Sequence, residues 1–177
     1  MNNFQNKKEK ILFITTLVGI FLMIISLFLP YSTAIGNHRK SIADNPDRVV
    51  YDELNMTADD IMNISMVKYA WIYSNMSEEL WGNSGNGIFY VVLVILMLGF
   101  SLLSLMFTIK KKTVKVIVFN VLAFVVFSIE NSDFSMRHVV PGDYYAHGIA
   151  YYTFYVAAII VLCSAIFTIV TKNRSKQ

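Results

Sequence analysis

The residues best suited to chemistry lie in one polar stretch, residues 130–149, where histidines and carboxylates occur close together. Imidazole nitrogens and carboxylate oxygens are ligands that zinc and related metals take in proteins. The candidate ligands are His138, Asp143 and His147, beside Glu130 and Asp133. Their spacing matches no known metal signature, and Asp133 is also placed to pair with Arg137 across one helical turn. We therefore predict no bound metal, and keep this group as the alternative.

Sequence motifs of enzymes are missing from the chain. It contains no GxSxG, HExxH, GxxxxGK[ST], GxGxxG or CxxC pattern. Cys163 is the one cysteine, so an intrachain disulfide is excluded. We predict a protein that is not an enzyme and has no cofactor. A membrane enzyme that uses the region from Glu130 to His147 remains a further alternative.

Long apolar runs in the sequence predict the helices that position the polar segments. The 177 residues are 55% hydrophobic and only 15% charged, more apolar than a soluble domain of this size. A run of about 19 residues spans about 28 Å as a helix, close to the thickness of the hydrocarbon core. The predicted membrane-spanning helices are 11–29, 88–109, 114–129 and 150–170. The sequence predicts an all-α integral membrane protein, a single domain 1–177 with a four-helix bundle.

Basic residues predict the orientation in the membrane. Ten lysines and arginines lie in the termini and in the 110–115 turn, opposed there only by Glu9. Since short loops rich in Lys and Arg stay cytoplasmic, both termini are predicted to be cytoplasmic. The outer segment 30–87 and the outer loop 130–149 carry the remaining acids. The KKEK stretch and the small residues after span one also fit a signal peptide, but the apolar run is longer than such peptides use, which favours an uncleaved span.

The outer segment is predicted to be partly helical. Its first part, GNHRKSIADNPDR, is typical of a loop. Thr57, two acids after it and an apolar spacing of three and four predict a capped helix over 58–76. Trp71, Tyr73 and Trp81 are amphipathic aromatics suited to a cap in the headgroup zone, or to a partner-binding surface.

Small and polar residues within the spans predict the packing faces, because helices in lipid associate through small side chains and shared hydrogen bonds. The predicted helix-packing residues are Ala150, Thr153, Ala157, Ser164, Thr168, Gly99 and Asn120. A Thr15-xxx-Gly19 spacing in span one is a weaker version. No ionisable residue lies at the centre of a span, and Glu130 and Lys115 are expected to be solvated at span ends.

The layout is similar to that of claudins in its four spans, internal termini and long first outer loop. The claudin loop signature includes paired cysteines, and this loop has only Glu79-Leu80-Trp81-Gly82 and no cysteine. No claudin residue or function is carried over.

These features predict a non-enzymatic, multi-pass tetraspan protein of a bacterial cell membrane that acts through protein or lipid contacts. It would be an accessory subunit of a membrane complex or an immunity-type protector. The alternative is an oligomeric transporter or channel component. The expected partners are the lipid bilayer and a membrane protein or a second copy, and not nucleic acid, since no basic patch is interleaved with aromatics.

Overall fold

Long helices make up most of the computed structural model, which describes residues 2–81 and 85–174, with side chains for 7–78 and 87–173. The long helices are α1 (Asn2–Ser26), α5 (Gly85–Ile109), α6 (Thr113–Met136) and α7 (Ile149–Arg174). Each contains a stretch long and apolar enough to cross a membrane. The predicted four-helix membrane fold is confirmed.

Shorter elements fill the segment between α1 and α5. They are β1 (Pro30–Ala34), α2 (Gly36–Asp44), β2 (Val49–Tyr51), a 3₁₀ turn (Asp52–Leu54), β3 (Met56–Thr57), α3 (Ala58–Met62), β4 (Asn63–Ser65) and α4 (Met66–Trp81). One more strand, β5 (Tyr145–His147), lies between α6 and α7. The segment is partly helical as predicted, but its strands were not expected.

A three-stranded antiparallel sheet joins the segments on either side of the α5–α6 hairpin. Its strand order is β4-β1-β5. Ser32 of β1 pairs with Ile64 on one side and with His147 on the other. Gly148 follows β5 directly, and a Cβ there would collide with the carbonyl oxygen of Pro30. This close approach requires glycine.

The predicted helix over 58–76 is wrong as one continuous element. Thr57 does begin a helix, since its backbone N–H donates to the Asp60 carboxylate at 3.0 Å. Together with the Lys68 ammonium, this bond lowers the pKa of Asp60. Asn63–Ser65 then leaves the helix to pair with β1, because Asn and Ser are poor helix formers and a strand partner is available. Ser65 caps α4 by accepting a hydrogen bond from the Lys68 N–H at 3.1 Å.

Other helix boundaries also differ from the prediction. Span one, predicted to end at 29, ends as a helix at Ser26. The polar stretch predicted as a loop forms α2, which one fully buried apolar side chain, Ile42, holds in place. Span three, predicted to end at 129, continues as α6 to Met136. Residues 130–133 are all polar, and hydropathy alone could not show that the helix continues through them.

The chain forms two compact units. The helical unit contains residues 1–25, 96–126 and 153–177, and the sheet unit contains 26–95 and 127–152.

Apolar side chains cover the outside of the helical unit. On α1 the exposed residues follow a spacing of three and four, and include Ile11, Ile14, Val18, Phe21 and Ile25. Because this stripe is one face of a helix, it is the face that contacts lipid.

Small side chains allow α1 and α7 to approach closely within the helical unit. A Cβ added at Gly19 would lie 2.7 Å from Cγ2 of Val161 and 3.3 Å from the carbonyl oxygen of Ala157. The hydroxyls of Thr16 and Ser164 share a hydrogen bond of 2.8 Å between the same helices. The contact is therefore built from one glycine, one alanine and two hydroxyls.

Candidate functional site

The residues kept as alternative metal ligands do not come together in the sheet unit. His138 and Asp143 are exposed in the loop after α6, whereas His147 is half-buried in β5. In the part of the chain that the structure describes, no group of three His, Cys, Asp or Glu side chains is placed to hold a metal ion. The carboxylate of Asp133 instead accepts a hydrogen bond from Nε of Arg137 at 3.0 Å, which confirms the alternative pairing.

Glu130 is placed differently from the prediction. It was expected to be solvated just past the end of span three, but it is 0% exposed. Since α6 continues beyond it, Glu130 shares a helix face with Phe127 and Phe134, three residues before it and four after it. Both phenylalanines are also fully buried. The extra length of the helix thus carries a carboxyl into an apolar core.

The side-chain oxygens of Glu130 have no hydrogen-bond partner among the described residues. Buried polar groups are paired in the great majority of cases, so an unpaired carboxyl has a structural cost. Ionisable groups within a membrane-spanning helix are also functional candidates by default. Packing alone therefore does not explain the presence of Glu130 in this core.

Tyrosine and phenylalanine side chains fill the core of the sheet unit. We call this set the aromatic cluster; it comprises Tyr31, Tyr69, Tyr73, Tyr90, Phe127, Phe134 and Tyr151. Tyr31 of β1 lies at its centre and donates a hydrogen bond from its hydroxyl to Oδ1 of Asn131 at 2.8 Å. Aromatic pairs with these edge and tilted geometries stabilise a core beyond the area they bury.

Two more tyrosine hydroxyls of this core have polar partners. The Tyr69 hydroxyl lies 2.8 Å from Oγ of Ser32, and the Tyr90 hydroxyl donates to the carboxylate of Asp133. Burial raises the pKa of Tyr69 and of Tyr73 well above the ordinary tyrosine range. These hydroxyls therefore stay neutral hydrogen-bonding groups and do not act as bases near neutral pH.

The three aromatics predicted for partner binding differ in their surroundings. Trp71 is 44% exposed and remains available for contact. Tyr73 is only 7% exposed and belongs to the aromatic cluster, so its prediction as a surface residue is wrong. The side chain of Trp81 lies outside the described residues.

A surface that the sequence did not indicate is formed by Ile35, His38 and Tyr144, which we call the outer patch. The N–H of Ile35 donates to the carbonyl of Tyr144 at 3.0 Å, so the two outer segments meet there. Tyr144 is 64% exposed and lies edge-on to His38, with ring centroids 5.1 Å apart. The hydroxyl of the next residue, Tyr145, donates to the carbonyl of Ile61 at 2.9 Å. Burial raises the pKa of Tyr145 to about 12.

The predicted packing residues lie in the bundle helices with unequal roles. Ala150, Ala157 and Ser164 are buried, and Thr153 and Thr168 are half-buried. Nδ2 of Asn120 donates to the carbonyl of Ala158 at 3.0 Å, a bond between α6 and α7 within the helical unit. Gly99 makes no close approach, because a Cβ there would have nothing within 4 Å among the described residues. Gly19 takes that role instead.

Comparisons of this chain with protein-family models, with curated proteins and with solved structures found no match. The chain is a multi-pass membrane protein with four candidate spans.

Proposed function

We propose that this protein is a non-enzymatic tetraspan of the cell membrane that works by binding another membrane or envelope protein through its sheet unit. It would act as an accessory subunit of a membrane complex or as an immunity-type protector. The outer patch is the observation that carries the proposal. It is an exposed aromatic and aliphatic surface on two segments that are joined by backbone hydrogen bonds.

Backbone hydrogen bonds hold the outer patch in place before a partner binds, which supports a role in recognition. The segments that supply Ile35 and Tyr144 are joined by the β1–β5 pairing and by the backbone bond between these two residues. A preorganised surface loses less conformational entropy on binding, which favours affinity. Aromatic residues such as Tyr144 and Trp71 are enriched in protein interfaces.

The oligomeric channel or transporter has less support. This alternative needs the small-residue stripe of α7 to form an interface between copies of the protein. Gly19 and Thr16 of α1 already contact that stripe at Ala157 and Ser164 within one helical unit. The stripe is thus used inside the monomer.

Photo-crosslinking in intact cells tests the proposal. A photoreactive amino acid at Tyr144 should yield one defined crosslinked protein, whereas the same group at the exposed Asp47 should not. A Tyr144→Ser variant should also lose co-purification of that protein from mild detergent. Identical crosslinking patterns at both positions, together with an unchanged toxin sensitivity in a deletion strain, would refute a contact function.

A further inference from the structure

A cavity of about 500 Å³ lies within the helical unit. Ligand pockets in proteins have volumes of about 300–1,000 Å³, so the cavity is large enough to hold a small molecule or a lipid headgroup. Its lining comes from the first part of α1, from the α5–α6 turn and from the last part of α7. This cavity is separate from the aromatic cluster and the outer patch, whose residues belong to the sheet unit.

Positive charge is concentrated in this cavity. Lys10, Lys111 and Lys172 line it, against the single carboxylate of Glu9. The three lysines come from different segments of the chain, and the fold brings them to one space. The positive-inside rule explains basic residues on this side of the membrane, but it does not explain why they surround one cavity.

Lysine ammonium groups can supply donors to an anionic ligand, because each ammonium carries three of them. The hydroxyls of Thr16, Thr108 and Thr168 also line the cavity, but each donates its proton to a backbone carbonyl four residues earlier at 2.8 Å. Ammonium groups recognise phosphate as point charges with several rotatable donors. The polar part of the cavity is therefore suited to an anion that carries several acceptor oxygens.

Apolar side chains form the rest of the cavity wall. Phe13, Phe107, Val116 and Ala165 belong to it, and the last two are buried. The ring of Phe107 stacks on that of Phe119, with centroids 5.4 Å apart and planes 10° apart, which fixes one side of the wall. A free inorganic anion has no apolar surface to bury against these side chains, whereas the first carbons of an acyl chain would be buried there.

We propose that this cavity binds the headgroup and the first acyl carbons of an anionic phospholipid. The phosphate lies among Lys10, Lys111 and Lys172, and the hydrocarbon lies along the phenylalanine side. Basic pockets between membrane helices on the cytoplasmic side are typical sites for anionic lipid headgroups. The proposal goes beyond the contact function proposed for the sheet unit and does not depend on it.

Thermal unfolding of the full chain in neutral detergent tests the proposal. Phosphatidylglycerol is added at increasing concentrations, with phosphatidylcholine as the zwitterionic reference. We expect a saturable rise in melting temperature with phosphatidylglycerol alone, since a ligand that binds only the folded state stabilises it. Substituting Lys10, Lys111 and Lys172 by glutamine should weaken the apparent lipid affinity at least tenfold.

The matched control substitutes Lys8, Lys110 and Lys112 by glutamine, which removes equal charge from residues outside the described cavity lining. It should keep the response of the unsubstituted protein. A single charge reversal at the exposed Lys111, compared with one at Lys110, repeats the contrast without touching the core. Equal losses in both members of each pair would overturn the proposal in favour of surface charge. An equal response to inorganic phosphate or glycerol phosphate would overturn it in favour of a soluble anion.

Discussion

Glu130 shows how the environment of one residue depends on where a helix ends. The three residues after it are polar, and a helix that stopped at 129 would leave its carboxyl in water. The continuation of α6 instead places it on a buried helix face between Phe127 and Phe134, with no hydrogen-bond partner in the described part of the chain. An unpaired buried polar group costs about 1–3 kcal/mol. A residue kept at such a cost is a candidate for function, because stability and activity often conflict at functional positions.

Glu130→Met should therefore stabilise the protein, by about 1–3 kcal/mol, since it removes the unpaired oxygens and keeps the volume of the side chain. Glu130→Gln is the matched control, because its amide also has polar atoms that need partners. We expect a higher melting temperature in detergent for Met than for Gln. A lower melting temperature for Glu130→Met than for the unsubstituted protein would show that the carboxyl is paired in the membrane.

His147 is expected to make the protein sensitive to mild acid. Burial lowers the pKa of its imidazole from the ordinary value of 6.5, and its ring stacks on Tyr151 with centroids 3.9 Å apart. The unfolded state then binds more protons than the folded state as the pH falls below 6.5, so the contribution of the neutral ring is lost in that window and is fully present above it.

The measurement compares the unsubstituted protein with His147→Phe, which keeps an aromatic ring on Tyr151. We expect the difference in melting temperature between pH 7.5 and pH 5.5 to shrink in the variant. An unchanged difference would mean that other groups cause the acid sensitivity.

At the scale of elements, a small residue allows close helix packing only where it faces another helix. Its presence in a span is not enough. Gly19 and Gly99 both lie in spans, but only Gly19 has another helix against its Cα. The partner positions on α7 are Ala157 and Val161, whereas Ile159 of the same helix is exposed. Sequence spacing placed the stripe on one side of α7, and the structure supplies the partner helix.

Gly19→Ala should destabilise the bundle, because the new Cβ would lie 2.7 Å from Val161 and both helices would have to shift. Overpacking of this kind costs about 1–3 kcal/mol. Gly99→Ala is the matched control: it meets open space and should be neutral or slightly stabilising, since alanine is the better helix former by about 1 kcal/mol. Equal melting temperatures for the two variants would contradict the α1–α7 contact.

The spans could be predicted from the sequence because about twenty apolar residues in a row have few other folded states available. The sheet could not, since each strand has only a few residues and its pairing partners are far away in the chain, as Ser32 with His147 shows. The buried state of Glu130 and the surface of Tyr144 follow from that tertiary pairing and from the longer α6. Hydropathy patterns contain neither piece of information.

At the scale of the whole molecule, the helical unit and the sheet unit differ in the sign of their charged residues. The helical unit contains both termini and the α5–α6 turn, and hence the lysines of the cavity. The sheet unit contains most of the acids, the aromatic cluster and the outer patch. We expect the basic termini and the 110–115 turn to be cytoplasmic and the segment 30–87 to lie outside the membrane, as the positive-inside rule predicts.

Cysteine labelling with a membrane-impermeant reagent tests that claim most directly. Single cysteines are placed at Asn45, Thr113 and Asn173 in a Cys163→Ala background. We expect Asn45→Cys to be labelled in intact cells, and Asn173→Cys and Thr113→Cys to react only after the membrane is opened. Labelling of Asn173→Cys or Thr113→Cys in intact cells would contradict the four-span topology.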